Sequence, residues 1–474
     1  MARLGDMPEA SLDDVPFDVA RHYACRDADA TWRVKPQLEA RLDAVGLRDV
    51  YRLELNTYHL IDRMMMVGVK PDLTHFADLS FKLQGEIEGI QYRLEKATGR
   101  DSFNANSGDQ VDDYIFGVLG LPASKQTKGG RNSTNDIILE GLEKEYGIRY
   151  PVISDIREYR EVYKLKNTFV DRIPDFVNRY PHDGRVHATF RTTRVVTGRL
   201  AASDPNLLAQ PEHGKWAKDF KRGWVADDGH VLGAWDESQI ELRVLAHLSR
   251  DPVLLAAYRD GLDLHAALAV RIFGGKEADH KKGTARLAAK AINFGIPMGM
   301  QAQGLALQLK KNGLTDVTED DAQRWLDETA ALYKGVVRYK QERIAEARRH
   351  GHIRCLSGRV RYIGGIRSWD RATKAEAERF AFSTPIQEGA QWVMKKAEAR
   401  VWQDVIRPLQ QAGEWIEPLM QVHDAIKLEM GEHLAQDVHC MMVWAMTTAV
   451  GDMLTVPLEV VGEVGHNFAD MEQL

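Results

Sequence analysis

WDESQIELRVLAHLS, Trp235 to Ser249, is the stretch whose reading decides the fold. The apolar run leading into it, Val231-Leu232-Gly233-Ala234-Trp235, predicts a short buried strand. The strand ends at Asp236, and a helical pattern begins near Ser238, with Ile240, Leu242, Val244, Leu245 and Leu248 available to a core. A carboxylate at the tip of a buried strand is held rigidly, and rigid carboxylates suit Mg²⁺, a hard cation that takes oxygen ligands. Asp is also a common helix cap, so this stretch alone leaves ligand and cap equally open.

Composition sets the frame around it. At 474 residues the chain exceeds one ordinary core, so several subdomains are expected. Hydrophobic content of 44% with 28% charged residues fits a globular protein rather than a disordered or membrane-embedded one. No apolar run reaches the roughly 18 residues a membrane span needs, and the N-terminus is polar and acidic, without a signal-peptide core. Cys25, Cys355 and Cys440 are far apart and form no metal-ligand spacing, which predicts buried thiols in a reducing, cytoplasmic setting. A net charge of −6 does not advertise nucleic acid, but an overall charge averages over the surface and can hide a basic groove.

Along the chain, residues 1–50 carry mixed helical patterns, and LELNTYHLIDRMMM continues as an amphipathic helix stopped by Val67-Gly68-Val69-Lys70-Pro71. The run Met64-Met65-Met66 reads as core filling. From 76 to 170 long helices flank the polar loop SKQTKGGRNSTND, in which Ser133-Thr134-Asn135-Asp136 signals a helix start. Its Lys125, Lys128 and Arg131 are either solvated or available to phosphates. The helix DIREYREVYKLKNTFVDRIPDF places Arg160 and Lys164 four residues apart on one face, with the same two readings. Residues 185–235 read as β-rich, with RVHATFRTTRVV as strands and VTGRLAASDPNLLAQP as a loop. Helices follow to near residue 350, then a β-like turn at CLSGRVRYIGG, the hairpin WIEPLMQVHDAIKLEM, a helix and a last strand in VPLEVVGEVG. Strands and helices without regular βαβ alternation predict an α+β fold.

The hairpin supplies a second carboxylate, since His423-Asp424 sits at the turn between LMQV and AIKLEM. Such residues are common as turn formers. Two aspartates at strand ends can also converge on a metal pair, whose ions, about 3.5–4 Å apart, clamp the attacking and leaving oxygens of a phosphoryl transfer. In the helix TARLAAKAINFG, Arg286, Lys290 and Phe294 recur every four residues on one face, before Gly295 and Pro297 end it. Two cations a turn apart suit a polyphosphate and the aromatic a sugar or base; the bland alternative is an amphipathic helix with solvated cations.

In combination the pieces are specific. DESQIELR, RLAAKAINFG and QVHDA resemble motifs A, B and C of family A DNA polymerases, the bacterial DNA polymerase I type, in order and separation. The resemblance continues through TGRLAASDPNL, DLHAALAVRIFG and STPIQEGAQWVMKKAE, from roughly residue 10 to the C-terminus. It implies the right-hand polymerase fold, with a palm built on an antiparallel sheet and helical fingers and thumb. The implied parts are an exonuclease-like remnant at 1–50, a connecting helix at 51–75, thumb at 76–183, palm at 184–243, fingers at 244–366 and palm again at 367–474. Asp236 and Asp424 resemble the metal-binding aspartates, with the backbone carbonyl of Glu237 as a further ligand to two Mg²⁺ ions, or Mn²⁺ in substitution. Arg286, Lys290 and His265 resemble the triphosphate contacts, Lys290 also being the general acid for pyrophosphate departure. Phe294 and Glu241 match the sugar-sensing positions, with Glu241 as steric gate against a 2′-hydroxyl and Gln239 beside it. Arg199, Gln387 and His423 match contacts to the primer terminus and minor groove, and Arg160 and Lys164 contacts to the duplex backbone. The expected activity is template-directed transfer from dNTPs to a primer 3′-hydroxyl by a monomer.

Departures from the family pattern qualify this. Glu237 stands where a Tyr is usual, Met298 replaces the motif B tyrosine, Ala425 replaces the acid of HDE, and Ser383 stands for a frequent Asn. Phe294 rather than Tyr implies discrimination against dideoxynucleotides. YACRDADAT resembles the last motif of the family's 3′–5′ exonuclease domain, with Tyr23 and Asp27 matching its Tyr and Asp, but about 50 residues cannot form that domain. No self-contained proofreading is expected; a separate exonuclease polypeptide that docks here, as in a phage-type split, and loss of the domain both stay open. Two rival functions remain, a catalytically silent DNA-binding subunit of a replication assembly and a single-subunit RNA polymerase. Retention of both aspartates, Arg286 and Lys290 speaks against the first, and Glu241 with Phe294 against the second.

Overall fold

The computed structural model describes residues 15–123, 126–127, 129–212, 214–276, 283–296, 299–311, 314 and 316–474. The chain divides into two compact units. One comprises His59–Ile240, Arg400–Gly451 and Leu458–Leu474; the other comprises Glu241–Ala399, Asp452–Pro457 and the residues up to Tyr58.

The first unit is built on an antiparallel sheet of five strands. These are β3 (His230–Glu237), β6 (Ile416–Val422), β7 (Ala425–Gly431), β8 (Val460–Gly465) and β9 (Glu472–Gln473), in the order β6-β7-β3-β8-β9. The quoted strand is therefore central, and it runs two residues past Trp235 to include Asp236 and Glu237. Alternation puts Trp235 and Glu237, which are 0% and 2% exposed, on one face and Asp236 on the other. Trp235 Nε1 donates to His439 Nδ1 at 3.4 Å on the helix Ala435–Thr447. Glycines make room for that indole. A Cβ on Gly233 would lie 2.3 Å from the ring, and one on Gly462 2.6 Å from Nε1. Arg185 pairs with Asp227 at 2.6 Å and with the fully buried Glu429 of β7 at 2.8 Å.

The same unit holds the long helices Leu73–Thr98 and Val152–Lys164. The first buries Leu79, Leu83, Ile87, Ile90 and Leu94 at three- and four-residue spacing, and the second buries Ile153, Ile156 and Val162. As the Ser-Thr-Asn-Asp signal predicts, Asn135 accepts from Ile138 N–H and caps the helix Asp136–Tyr146. The β-rich reading of 185–235 overstates its strand content. Among the described residues the strands before β3 are β1 (Thr189–Arg191) and β2 (Ala201–Ser203), with isolated bridges at Val186, Trp224 and Val225, and Ala217–Arg222 is a helix. Aromatic packing decides this segment, because Phe220 and Trp224 stack edge-on against Phe76, a long-range contact that local propensity does not carry.

The second unit is mainly helical. Leu264–Phe273 and Thr284–Gly295 pack together with Ala302–Lys311 and Glu319–Leu332 around Leu268, Ala288, Ala289, Ile292, Leu305, Leu309 and Trp325. The small alanines let the helices approach closely. The expected β-like turn at CLSGRVRYIGG lies in the hairpin of β4 (His352–Arg354) and β5 (Val360–Tyr362), and Ile353 and Ile363 pack with Ala377 and Ala381 of the helix Arg371–Val401. A polar network runs along that helix. Lys395 and Arg359 both pair with Glu54, and Ser357 Oγ donates to Glu388. The helix Phe17–Val45 buries none of its residues, and Phe17 and Trp32 are 76% and 73% exposed.

Two minor expectations are corrected. Cys25 and Cys440 are exposed and only Cys355 is buried, because the first two face outward from their helices. Of the methionine run, Met64 is buried but Met66 is 64% exposed, as a three-residue run must turn one member away from a helix's core face. Among the described residues no helix is long and apolar enough to cross a membrane.

Candidate functional site

The candidate residues fall into two sets, one in each unit. In the sheet unit, the tight connection His423-Asp424 joins β6 to β7, with Val422 opposite Ala425 and Asp236 of β3 opposite Ala425. This register brings the end of β3 beside the hairpin tip, and Glu237 N–H donates to Asp424 C=O at 3.0 Å. The expected pair of strand-end carboxylates is thus assembled by neighbouring strands. His423 and Gln239 both adopt left-handed backbone, with φ of +53° and +55°. For residues other than glycine this is uncommon and strained, and it concentrates at functional sites.

Burial raises the Asp424 carboxyl to about 6; Arg199 and His423 pull it back and Asp236 pushes it up. Its Oδ1 is buried with no hydrogen-bond partner among the described residues. The Asp236 carboxyl is also raised, first by desolvation and then by the charge of Glu463, with His423 opposing. Asp236 keeps open surface at the strand end, but the protein atoms crowded around it dominate. Two carboxylates whose anionic forms are under-solvated, one with an orphaned oxygen, suit a cation. Among the described residues no group of three or more His, Cys, Asp or Glu side chains is placed to hold a metal ion. Glu237 therefore adds no third carboxylate to the pair; its side chain is buried on the opposite face of β3 from Asp236.

Sequence reasoning missed two neighbours on the Asp236 face. Lys427 on β7 and Glu463 on β8 both lie opposite Ala234, two residues before Asp236. Burial lowers Lys427 to about 8, with Glu212 and Glu463 acting upward, and its ammonium sits 4.3 Å over the Phe468 ring. The signal was available, since Lys427 and Glu429 are charged residues within a strand that otherwise reads as apolar.

In the helical unit, Arg286 and Lys290 lie on the helix Thr284–Gly295, Lys290 exposed and Arg286 part-buried. Arg286 is anchored, its Nη2 donating to Asp263 Oδ2 at 2.9 Å. The same Asp263 caps the helix Leu264–Phe273 through the N–H groups of His265 and Ala266. Burial pushes the Asp263 carboxyl up, but those amides and the guanidinium hold it below its ordinary value. His265 is 4% exposed, and burial lowers it to about 4, Asp263 opposing and Arg286 and Lys290 reinforcing. It is neutral at physiological pH. Asp263 was not singled out from sequence, although Asp directly before an apolar helical run is a capping signal. Phe294 belongs to the same helix, and its side chain lies outside the described residues, as do Met298, Lys125 and Lys128.

Other sequence candidates are placed as follows. Glu241 and Gln387 are partly exposed, on the helices Ile240–Ser249 and Arg371–Val401, and Gln239 is partly exposed in the turn before the first of these. Arg199 is half-buried near Asp424, as its effect on that carboxyl requires. Arg160 turns inward, its Nε donating to Ala105 C=O at 2.6 Å and its Nη1 to Thr134 C=O, while Lys164 one turn on is exposed. Arg131 pairs with Asp109.

A profile of DNA polymerase family A matches residues 73–470. DNA polymerase I of Chloroflexus aurantiacus is 35% identical over 98% of this chain and 48% of its own length. The thermostable DNA polymerase I of Thermus aquaticus is 34% identical over 87% of this chain and 47% of its own. A solved structure described as the POL domain of Pol1 from M. smegmatis in complex with DNA primer-template and dNTP superposes with a TM-score of 0.81. It is 29% identical, and the match covers 91% of this chain and 73% of that one. The chain spans about half the length of the curated relatives it matches.

Proposed function

The chain belongs to DNA polymerase family A and has the right-hand polymerase fold, and on that premise we propose that it copies a DNA template by adding dNTPs to a primer 3′-hydroxyl. The observation that carries the proposal is the carboxylate pair at neighbouring strand ends, with one Asp424 oxygen buried and without a hydrogen-bond partner among the described residues. Asp236, Asp424 and the Glu237 carbonyl would hold two Mg²⁺ ions. Only two carboxylates suffice, because Mg²⁺ keeps waters and takes substrate phosphates as its remaining ligands. When bound, the ions lower the pKa of the attacking hydroxyl and neutralise the leaving pyrophosphate.

The protein's own side chains do the rest. Arg286 and Lys290 hold the triphosphate, and Lys290 gives a proton to the departing pyrophosphate. Asp263 keeps the Arg286 guanidinium in place before the nucleotide arrives, and such preorganisation is most of what phosphoryl transfer asks of a protein. Glu241 excludes a 2′-hydroxyl, with Phe294 and Gln239 completing the sugar and base pocket. Arg199, Gln387 and His423 read the primer end, and Lys164, with Arg160 behind it, meets the duplex backbone in the thumb at 76–183. Palm at 184–243 and 367–474, fingers at 244–366 and a connecting helix at 51–75 remain the division we assign.

Primer extension on a primed template with Mg²⁺ and four dNTPs tests this. Wild type should extend and Asp424→Ala should not; no extension by wild type, or equal extension by the variant, overturns it. Binding of primer-template without incorporation of one nucleotide would instead establish a silent DNA-binding subunit. The helix Phe17–Val45, with no residue buried, supports the further proposal that a separate 3′–5′ exonuclease polypeptide docks there. Unchanged affinity for such a polypeptide after Trp32→Glu would exclude that surface.

A further inference from the structure

One buried amide in the helical unit has three polar neighbours, and together they decide how His265 behaves. Asn293 is 1% exposed on the helix Thr284–Gly295. Its Nδ2 lies 3.0 Å from His265 Nδ1 and 3.3 Å from the Leu264 carbonyl oxygen. Its Oδ1 accepts from the Tyr333 hydroxyl at 3.4 Å, and Tyr333 is 3% exposed.

The amide's orientation follows from its partners. A backbone carbonyl only accepts, so the atom facing Leu264 must be the NH₂ group; the reversed amide would set oxygen against oxygen. The tyrosine hydroxyl then serves as donor to Oδ1. With Nδ2 donating, His265 Nδ1 must offer its lone pair, and the ring's single hydrogen resides on Nε2. A doubly protonated ring would turn N–H against N–H in a site closed to water. The charged groups that act on the ring are Asp263, which favours its protonation, and Arg286 and Lys290, which oppose it.

We propose that Asn293 is a positioning residue which, braced by Tyr333, holds His265 as the neutral Nε2–H tautomer, so that the ring meets the nucleotide's phosphates as an uncharged donor. This rests on the reading of His265 as a triphosphate contact. It divides the labour of the set: Arg286 and Lys290 supply charge, and His265 supplies direction. Phosphate binding through His265 consequently does not titrate near neutrality, as a histidine cation would.

The test is long-range ¹H–¹⁵N spectroscopy of the full chain with labelled histidine, His265 being assigned through His265→Gln. Wild type should show the Nε2–H tautomer at pH 7 and no protonation down to about pH 5. Asn293→Asp should place a proton on Nδ1, giving imidazolium at neutral pH, and Tyr333→Phe should weaken the tautomer preference while leaving the fold intact by circular dichroism. An Nδ1–H tautomer or a charged ring in wild type overturns the proposal. Inorganic tripolyphosphate should shift the Nε2–H resonance; the right tautomer without any shift would refute the phosphate reading of His265 and leave its tautomer assignment standing. In steady state, Asn293→Asp should make KM for dNTP pH-dependent, with a change of roughly tenfold between pH 6 and 8, the size of one reoriented hydrogen bond. A merely structural role would lower kcat and stability without adding that pH step, which would overturn the assignment.

Discussion

At the scale of single residues, Asp424 shows the tension of the proposed site. Its carboxyl is raised to about 6 by burial. A carboxylic acid with a native pKa above its unfolded value adds nothing below about pH 4, where both states hold the proton. As pH rises from about 4 to about 6 the unfolded state ionises first and native stability falls, and above about 6 the penalty is constant. In the absence of divalent metal, Asp424→Asn is therefore expected to stabilise the protein by about 1–2 kcal/mol at pH 8 and hardly at all at pH 4, the figure being discounted for partial exposure. Thermal melts at both pH values with a chelator check this; equal effects at the two would refute it. The same variant should lose at least about a hundredfold in kcat, by analogy with removal of other charge-stabilising groups. Asp424 was legible in the sequence because a hairpin tip and a strand end are both local signals. Asn293 was not, since its role is made by His265 and Tyr333, distant in sequence.

At the scale of elements, β3 is held by its fit to neighbours on both sides. Trp235 fills space left by Gly233 and Gly462, so Gly462→Ala is expected to cost about 1–3 kcal/mol by overpacking against Trp235 Nε1 and His439. Because β8 lies directly against β3, the same change should lower polymerase activity; urea denaturation with parallel extension assays would measure both, and a stable, fully active variant would contradict it. The helix Arg371–Val401 poses a different case. Lys395 is buried and pairs with Glu54, which also takes Arg359. Lys395→Met leaves carboxylates under-compensated, and about 3–5 kcal/mol of destabilisation is expected. Adding Glu54→Gln should recover part of it in a double-mutant cycle; strict additivity would show that the two do not share one network. Amphipathic periodicity announced the helix that carries Glu54 but not the helix Arg371–Val401, and nothing local in Lys395 or Glu54 announced their partner.

At the scale of the whole molecule, the net charge of −6 is no obstacle to the proposed DNA binding, because cations can be gathered in one place. Primer-template affinity should fall about tenfold or more between about 50 and about 200 mM salt, as counterion release at several phosphates requires. Fluorescence anisotropy at graded salt would show it, and a flat response would exclude backbone contacts by Lys164 and its neighbours. By itself the sequence pointed to the α+β class, to the strand ending at Asp236, to the His423-Asp424 hairpin and to the helix that carries Arg286 and Lys290. Those are carried by short-range periodicity, turn residues and motif spacing. Only the tertiary structure decided which face of β3 each carboxylate takes. It put Asp236 beside the Asp424 hairpin, sent Glu237 to the other side, and set Lys427 and Glu463 around Ala234. The physical reason is strand register, which no strand contains alone: a slip of one residue would exchange the two faces and turn Trp235–Asp236–Glu237 into a different site.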